Sequence, residues 1–432
     1  MLKKIGLESI KKIVVSIVCI IILTAINCLL LTGSFMLPTS IMRDNVAKSK
    51  ELVEAEGQYW QWDNGYTATQ IDGWSEYRLY AMAINEDSEG SAFEQAMLMR
   101  TIDTYGDYSD QSLVRYAVNK DEEFTQDIYA RYWNGSVMFL KVLLLFFDMS
   151  EIRMFGYFVQ FSLLFLVFFL LIERKLNRYI IPFTVGILFI NPITMAYSYK
   201  YAVEYVPMLV ALVVILKWDY KLENSKYGWV IFYSIIGSVT SFLCWFSFPA
   251  ITLGVPLIVM IWVGRKERIT KKVVELSIFW GVGYVLTYIL KLLVCSLFTS
   301  YNAFDETFGR AHLYANTDIS GGGMIGRIMR NLWVIYNPVF VLCFVAGIIL
   351  VCISVMNRKT CNEADVCNVN YLDLFTGYII TALIPLAVII CLGDRYAYVH
   401  FYMAHRQFAI SIISALCIIQ LLLEQTSKKS QK

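Results

Sequence analysis

Two carboxylates four residues apart are the first candidates for chemistry in this chain. Asp72 and Glu76 lie in the stretch Gln70–Glu76, and in a helix both would project from one face, about one turn apart. Such a pair can accept a proton or hold a cation. The spacing therefore makes Asp72 and Glu76 the first candidates for proton transfer or for binding a cation. The alternative is that Asp72 caps a helix and Glu76 lies in its first turn, where the helix dipole favours an acid.

Basic side chains that could bind an anion occur further along the chain. The glycine-rich stretch 320–323 leads into Arg327 and Arg330, so backbone N–H groups, a helix start and two guanidinium groups could surround a phosphate. The alternative is a surface loop with a basic membrane anchor. The other candidates for binding an anionic group are Arg131, Arg395, His400, His405 and Arg406.

The segment around the carboxylates is also rich in aromatic residues. Trp74, Tyr132 and Trp133 are candidates for contact with a substrate, and so are Arg310 and His312 in a later segment. Tyr and Trp rings suit a membrane interface, because one end of the side chain contacts lipid and the other contacts water. They also stack on the faces of sugars. Both interpretations stay open for these rings.

The elements that must position these residues are membrane helices. Apolar residues make up 57% of the chain and charged residues only 17%. Long apolar runs in such a chain predict an all-α polytopic membrane protein with about ten transmembrane helices. The first run is longer than a signal-peptide core, so it is expected to stay in the protein. The predicted spans are roughly 13–36, 153–172, 179–197, 202–217, 228–246, 248–264, 273–298, 333–356, 372–392 and 407–424.

The distribution of positive charge predicts the orientation in the membrane. The segments assigned to the cytoplasm contain 20 Lys and Arg, against six in the short outer loops, and positive charge marks the cytoplasmic side. We therefore expect a multi-pass protein of the plasma membrane with both termini in the cytoplasm. The long loop 37–134 would lie outside, and it holds 18 of the chain's 35 acidic residues but 8 of its 37 Lys and Arg.

The chain divides accordingly into regions. These are a first transmembrane helix (1–36), an extracytoplasmic loop (37–134), an interfacial helix (135–152), a transmembrane bundle (153–424) with outer loops 299–332 and 393–406, and a cytoplasmic tail (425–432). Local signals within the extracytoplasmic loop predict helices over Asp44–Glu56, from Asp72, from Ser91 and over Asp121–Trp133. Their apolar stripes predict that the loop packs on the outer face of the bundle.

Three ionisable residues fall near the outer ends of predicted spans. Lys200 and Glu204 are four apart, and such costly groups are expected to point into a cavity. Lys291 is expected to extend its flexible side chain to the outer interface instead.

Some classes of chemistry find no support in the sequence. Cys361 and Cys367 have the wrong spacing for a zinc site and lack a partner histidine, so no metal and no cofactor are predicted, although a need for a divalent cation stays open. A glycine-rich nucleotide loop after a strand is missing as well. This argues against a soluble nucleotide donor and an ATP-driven pump, and nucleic acid is not an expected partner.

Short motifs add a resemblance to a known family. The layout of a first helix, an acidic outer loop, an interfacial helix and many spans resembles the GT-C superfamily of membrane glycosyltransferases. Bacterial membrane proteins of that type have patterns similar to Leu37–Ser40, Gln70–Asp72, Glu94–Met97, Tyr129–Gly135 and Tyr336–Pro338. Relatives often have His before the Gly of the fourth pattern, where this chain has Asn134.

The resemblance implies an activity. A sugar would move, with inversion, from a polyprenyl-phosphate donor to a cell-envelope glycan or lipid acceptor on the extracytoplasmic face, so the expected partners are these two molecules and the lipid bilayer. Such a reaction needs a carboxylate base near the acceptor oxygen and cations around the departing phosphate. The resemblance therefore implies that Asp72 is the base, with Glu76 second, and that the basic residues above surround the phosphate. The alternative is an envelope lipid or polysaccharide transporter (flippase), or an O-antigen-type polymerase or ligase.

Overall fold

The computed structural model describes residues 2–86, 90–102, 109–119, 122, 124–264, 267–315, 323–356 and 370–429. Within them the fold is helical, apart from a two-stranded antiparallel sheet of β1 (Thr101–Ile102) and β2 (Gln126–Asp127). The helices are α1 (Leu2–Ser34), α2 (Thr39–Ala47), α3 (Lys50–Glu56), α4 (Gly73–Ile84), α5 (Ala92–Leu98), α6 (Ser109–Val118), α7 (Ser136–Leu144), α8 (Met149–Glu173), α9 (Ile180–Ile190), α10 (Pro192–Tyr197), α11 (Tyr199–Asn224), α12 (Gly228–Leu243), α13 (Ile251–Val263), α14 (Ile269–Phe298), α15 (Ala303–Ala315), α16 (Gly323–Trp333), α17 (Pro338–Met356), α18 (Tyr371–Val399), α19 (Phe401–Ala404) and α20 (Ala409–Lys429).

Seven helices of the described residues are long and apolar enough to cross a membrane. The chain is therefore a helical membrane protein, as the apolar runs predict. Seven of the ten predicted spans coincide with these helices. The other three, 179–197, 228–246 and 248–264, coincide with the shorter apolar helices Asn177–Ile190, Gly228–Leu243 and Ile251–Val263.

Helices α12 and α14 pack with their backbones in contact. A Cβ atom on Gly237 would lie 2.0 Å from the carbonyl oxygen of Trp280, and one on Gly283 would lie 2.1 Å from that of Ser234. Small residues allow such close approach between membrane helices. One turn further along α14, the hydroxyls of Ser238 and Thr287 are 2.6 Å apart and share a hydrogen bond.

The 37–134 loop builds a hydrophobic core of its own that continues onto the bundle. Buried side chains of α2 to α6, such as Met42, Tyr80 and Met97, join Phe242 of α12 and Leu292 of α14 in one cluster. The prediction that this loop packs against the bundle is thus seen in the structure. The long helix predicted over Asp44–Glu56 is divided between α2 and α3, and it ends at Gly57, whose φ of 63° suits glycine.

The predicted helix over Asp121–Trp133 is wrong for the residues that the structure describes. Residues 126–127 form β2, and the N–H of Tyr129 then donates to the carbonyl of Leu98 at 3.1 Å. Pairing with β1 and with the end of α5 satisfies the backbone without a helix. The indole of Trp133 donates to the carbonyl of Thr287 at 2.8 Å and fixes the end of this segment to α14.

Helix α7 lies between the loop and the first long helix after it. Phe139 and Val142 are exposed on one face, and Lys141 is buried on the other. The ammonium of Lys141 donates to the carbonyl of Ala83, near the end of α4, at 2.8 Å. Burial lowers the pKa of Lys141 to about 8. The helix predicted for 135–152 is thus shorter in the structure, where α7 ends at Leu144 and α8 begins at Met149. Its position in the membrane interface stays a prediction.

Candidate functional site

Asp72 begins helix α4 and is almost fully buried, at 1% exposure. Its Oδ1 accepts a hydrogen bond from the backbone N–H of Ser75 at 3.3 Å, so the predicted helix cap is present. The same oxygen accepts from the hydroxyl of Tyr402 at 3.2 Å. Its Oδ2 is buried and has no hydrogen-bond partner among the described residues. Capping therefore uses one oxygen and leaves the other available.

The surroundings of Asp72 include residues from the far end of the chain. The ring of Tyr59, half exposed, meets that of Tyr402 edge-on with centroids 6.0 Å apart. The guanidinium of Arg330 lies over the ring of Phe401, the residue before Tyr402, 3.9 Å from the ring centroid. His400 also lies near, with its ring centroid 6.5 Å from that of Tyr402. The structure thus places His400 beside Tyr402, which contacts Asp72, and Arg330 on the ring of the residue before it.

Glu76 occupies the same face of α4 but has a full set of partners. Its Oε2 accepts from the hydroxyl of Ser198 at 2.5 Å, and its Oε1 accepts from Arg153 at 3.5 Å. Arg153 also donates to both oxygens of Glu56, at 2.6 and 2.9 Å. The hydroxyl of Tyr197 donates to Glu56 at 2.6 Å. One guanidinium therefore lies between two buried carboxylates, and we call Glu56, Glu76, Arg153, Tyr197 and Ser198 the acidic cluster.

The acidic cluster has one positive charge for two carboxylates. Burial raises the pKa of Glu76, and Glu56 adds to this effect, while Arg153 and the Ser198 hydrogen bond act in the opposite direction. Glu76 consequently binds a proton more readily than a free glutamate. The cluster connects α3 and α4 of the loop to α8, α10 and α11, so its first consequence is to attach the loop to the bundle.

Two lysines near the outer ends of predicted spans are also buried. Lys200 and Glu204, predicted to point into a cavity, are buried and pair with each other, with the ammonium 3.6 Å from a carboxylate oxygen. The ammonium also donates to the hydroxyl of Ser247 at 2.7 Å. Lys291 does not extend to the interface as predicted. It is fully buried and donates to the carbonyl of Met97 at the end of α5, where a cation suits the helix dipole.

The aromatic candidates divide into two kinds. Trp133 is fully buried and packs on Phe242, so it supports the core. Tyr132 is half buried, and its ring is parallel to that of Trp245 at a centroid distance of 6.1 Å. Trp74 is half buried as well, with the guanidinium of Arg78 4.5 Å from its ring. Trp74 and Tyr132 thus keep surface that a ligand can contact, beside the unpredicted Trp245 and Arg78.

Two arginines among the phosphate candidates are held by protein groups. Arg406 is fully buried and donates to the carbonyls of Ile190 and Ala68 at 2.9 and 3.0 Å. His405 is fully buried beside it, and its Nδ1 is 3.0 Å from the carbonyl oxygen of Phe401. Arg131 pairs with Glu306 of α15 at 2.8 Å. These contacts join the loop to the bundle and leave little room for a phosphate.

Four of the remaining basic candidates lie on α15 and α16. Arg310, His312 and Arg330 are exposed, and Arg327 is half buried, with a donor 3.3 Å from the carbonyl of Ile390. The side chain of Arg395 and the glycine-rich residues 320–322 lie outside the described part of the structure. Arg327 and Arg330 share helix α16, and of the two Arg330 lies against Phe401.

Sequence reasoning missed Arg153, Ser198 and Tyr402, which contact the two predicted carboxylates, and Glu56, which shares Arg153 with Glu76. A buried arginine at the start of a span is the signal that could have pointed to Arg153. Within the described residues, no group of three or more His, Cys, Asp or Glu side chains could hold a metal ion, and Cys361 and Cys367 lie outside them. Comparison with family models, curated proteins and solved structures finds no match to this chain.

Proposed function

We propose that the protein is a membrane glycosyltransferase. It moves a sugar from a polyprenyl-phosphate donor to a cell-envelope glycan or lipid acceptor on the extracytoplasmic face, with inversion, and Asp72 is its base. The supporting observation is the Oδ2 atom of Asp72, buried and without a hydrogen-bond partner among the described residues. Leaving a buried acceptor unpaired costs about 1–3 kcal/mol, and an acceptor hydroxyl of the substrate would remove that cost.

The hydrogen bonds of Asp72 are consistent with this role. Ser75 and Tyr402 both donate to Oδ1, which fixes the orientation of the carboxylate, so that Oδ2 is left to accept a proton from a hydroxyl. Fixing the base in this way lowers the cost of reaching the reactive geometry. Glu76 then serves the fold through Arg153, and it is the weaker candidate for the base.

The donor phosphate would be bound from α16. Arg327 and Arg330 are the basic candidates on this helix, and Arg330 stacks on Phe401, the residue before Tyr402. A guanidinium group at this point can neutralise the charge on a departing phosphate. Of the three aromatic candidates, Trp74 and Tyr132 keep surface that can pack on a sugar.

The test is Asp72→Asn, because Asn caps a helix nearly as well as Asp but cannot act as a base. We expect normal expression and a loss of turnover of at least about a hundredfold, since general base catalysis contributes about 10²–10⁴-fold. The assay follows transfer from a panel of radiolabelled polyprenyl-phosphate hexoses to a cell-envelope extract, with the protein in liposomes.

The matched control is Asp148→Asn. Asp148 is also an N-cap aspartate, and its Oδ1 accepts from the N–H of Glu151 at 3.0 Å, so it loses a charge at an equivalent position. Its activity should stay within about twofold of normal. Near-normal activity of Asp72→Asn would remove Asp72 as the base and leave Glu76, Asp44 and Asp63 as the next candidates.

One observation favours a transporter as the second candidate. The predicted span 179–197 is broken at Asn191, whose φ is 64°, and the buried pair Lys200–Glu204 follows at the start of α11. Broken helices with buried charges are typical of transporter binding sites. Liposomes that move a labelled envelope lipid between leaflets without sugar transfer would favour this function over the enzyme.

A further inference from the structure

A cavity lies at the opposite end of α14 from the 37–134 loop. Its volume is about 1060 Å³, and it is formed by α1, the beginning of α14 and the beginning of α18. This size is at the upper end of ligand-binding cavities in proteins. None of the residues described above as candidate functional residues lines this cavity.

The wall of the cavity changes from charged to apolar along α14. Arg268 and Lys271 stand at its beginning, and Ile278, Phe279 and Val282 follow on the same side of the helix. The distance along the axis from Lys271 to Val282 is about 16 Å at 1.5 Å per residue. A molecule with a polar head and an apolar chain fits such a wall.

The charges that remain free favour an anionic head. Glu275 in the wall already pairs with Lys12, and Asp373 accepts hydrogen bonds from the backbone N–H groups of Ile269 and Thr270. Arg268 and Lys271 are exposed and form no ion pair within the described residues, and Glu267 is the acid left beside them. Among the described residues of the wall, two cations without an ion pair therefore stand against one such carboxylate.

We propose that this cavity binds one anionic phospholipid of the surrounding bilayer. The phosphate lies between Arg268 and Lys271, and an acyl chain lies against Ile278 and Val282. Basic pockets between membrane helices are suited to anionic lipid headgroups, and each Lys or Arg near the surface contributes about 1 kcal/mol. This site is separate from Asp72, so it stands or falls independently of the glycosyltransferase.

The experiment is native mass spectrometry on the full chain in detergent, with phosphatidylglycerol and phosphatidylcholine of identical acyl chains. The protein should retain phosphatidylglycerol preferentially. The double variant Arg268→Gln with Lys271→Gln should bind it about 30-fold more weakly, the loss expected from removing two such charges. The control removes two exposed cations that do not line the cavity, Lys217→Gln with Lys221→Gln, and should bind normally.

A third variant tests the chain site separately from the headgroup site. Ile278→Trp fills the cavity without changing charge, so it should lower the occupancy of both lipids. Three results would overturn the proposal: equal retention of the two lipids by the unmodified protein, equal binding by the two double variants, or complete displacement of phosphatidylglycerol by millimolar inorganic phosphate.

Discussion

Two carboxylates on one face of helix α4 have opposite surroundings. Glu76 is fully buried, and both of its oxygens accept hydrogen bonds, from Ser198 and from Arg153. Asp72 is buried to the same degree, but its Oδ2 has no partner among the described residues. A buried acid with a full set of partners serves the fold, whereas a buried acid with an oxygen left over is suited to bind a ligand. Burial alone does not separate the two roles.

Removing the cation of the acidic cluster, Arg153, should cause the largest loss of stability among variants of this cluster. Arg153→Met leaves Glu56 and Glu76 buried without their counter-charge, and breaking a buried ion pair from one side costs about 3–5 kcal/mol. We expect the free energy of unfolding, measured by denaturation in mixed micelles, to fall by about this amount.

The control for Arg153 is an exposed ion pair on α3, the helix that carries Glu56. Lys50 lies 3.8 Å from Glu54, and both side chains are about half exposed. Lys50→Met should therefore cost less than about 0.5 kcal/mol. Equal losses for the two variants would mean that the acidic cluster does not hold the loop to the bundle.

A smaller loss of unfolding free energy is expected when the acidic cluster keeps its charges but loses one hydrogen bond. Ser198→Ala removes the hydroxyl that donates to Glu76 and also caps α11, which should cost about 1–3 kcal/mol in unfolding free energy. Ser136→Ala is the matched control, because the Ser136 hydroxyl is buried without a partner among the described residues. A loss for Ser136→Ala as large as that for Ser198→Ala would contradict this account.

The sequence predicted the local part of this comparison. A four-residue spacing places Asp72 and Glu76 on one helix face, and an aspartate before a helix predicts the cap that the structure contains. The partners of the two acids could not be predicted in this way. Arg153 lies 97 residues after Glu56, and Tyr402 lies 330 residues after Asp72, so their contacts depend on how the helices pack.

The same dependence on helix packing explains why the predicted position of the Lys291 side chain is wrong. From the sequence, a lysine near the end of a span is expected to reach the interface. In the structure, the end of α5 supplies the carbonyl of Met97 instead, and a chain segment almost two hundred residues earlier decides where the ammonium lies. The predicted helix over Asp121–Trp133 fails for a related reason, since β1 offers its backbone a partner.

The contribution of Glu76 to the stability of the protein should depend on pH. Burial raises the pKa of Glu76 above the ordinary value of 4.5, so the folded protein binds this proton more tightly than the unfolded chain does. Stability from this source is complete below about pH 4.5 and is lost as the pH rises through the raised pKa. The unmodified protein should therefore lose thermal stability, relative to Glu76→Gln, as the pH is increased above 4.5.

The difference in unfolding midpoint between the two proteins is the quantity to measure, because it cancels the titrating groups that do not interact with Glu76. Thermal unfolding midpoints in detergent from pH 4 to pH 8 would supply it. A difference that does not change over this range would show that Glu76 has the same proton affinity in the folded and unfolded states, and the shared guanidinium would then have compensated fully for burial.

The smallest effect concerns Tyr402, which contacts Asp72 from the last long helical segment. Tyr402→Phe removes the hydroxyl that donates to Oδ1 but keeps the ring against Tyr59. If Asp72 is the base, its carboxylate loses an orienting hydrogen bond, worth about 1 kcal/mol, and turnover should fall about fivefold to tenfold. Tyr205→Phe is the control, because the Tyr205 hydroxyl is buried without a partner among the described residues, and it should leave turnover unchanged. If Tyr402→Phe also left turnover unchanged while Asp72→Asn abolished it, the orientation of Asp72 would depend on the helix cap alone. If both left it unchanged, the unpaired oxygen of Asp72 would have no catalytic role.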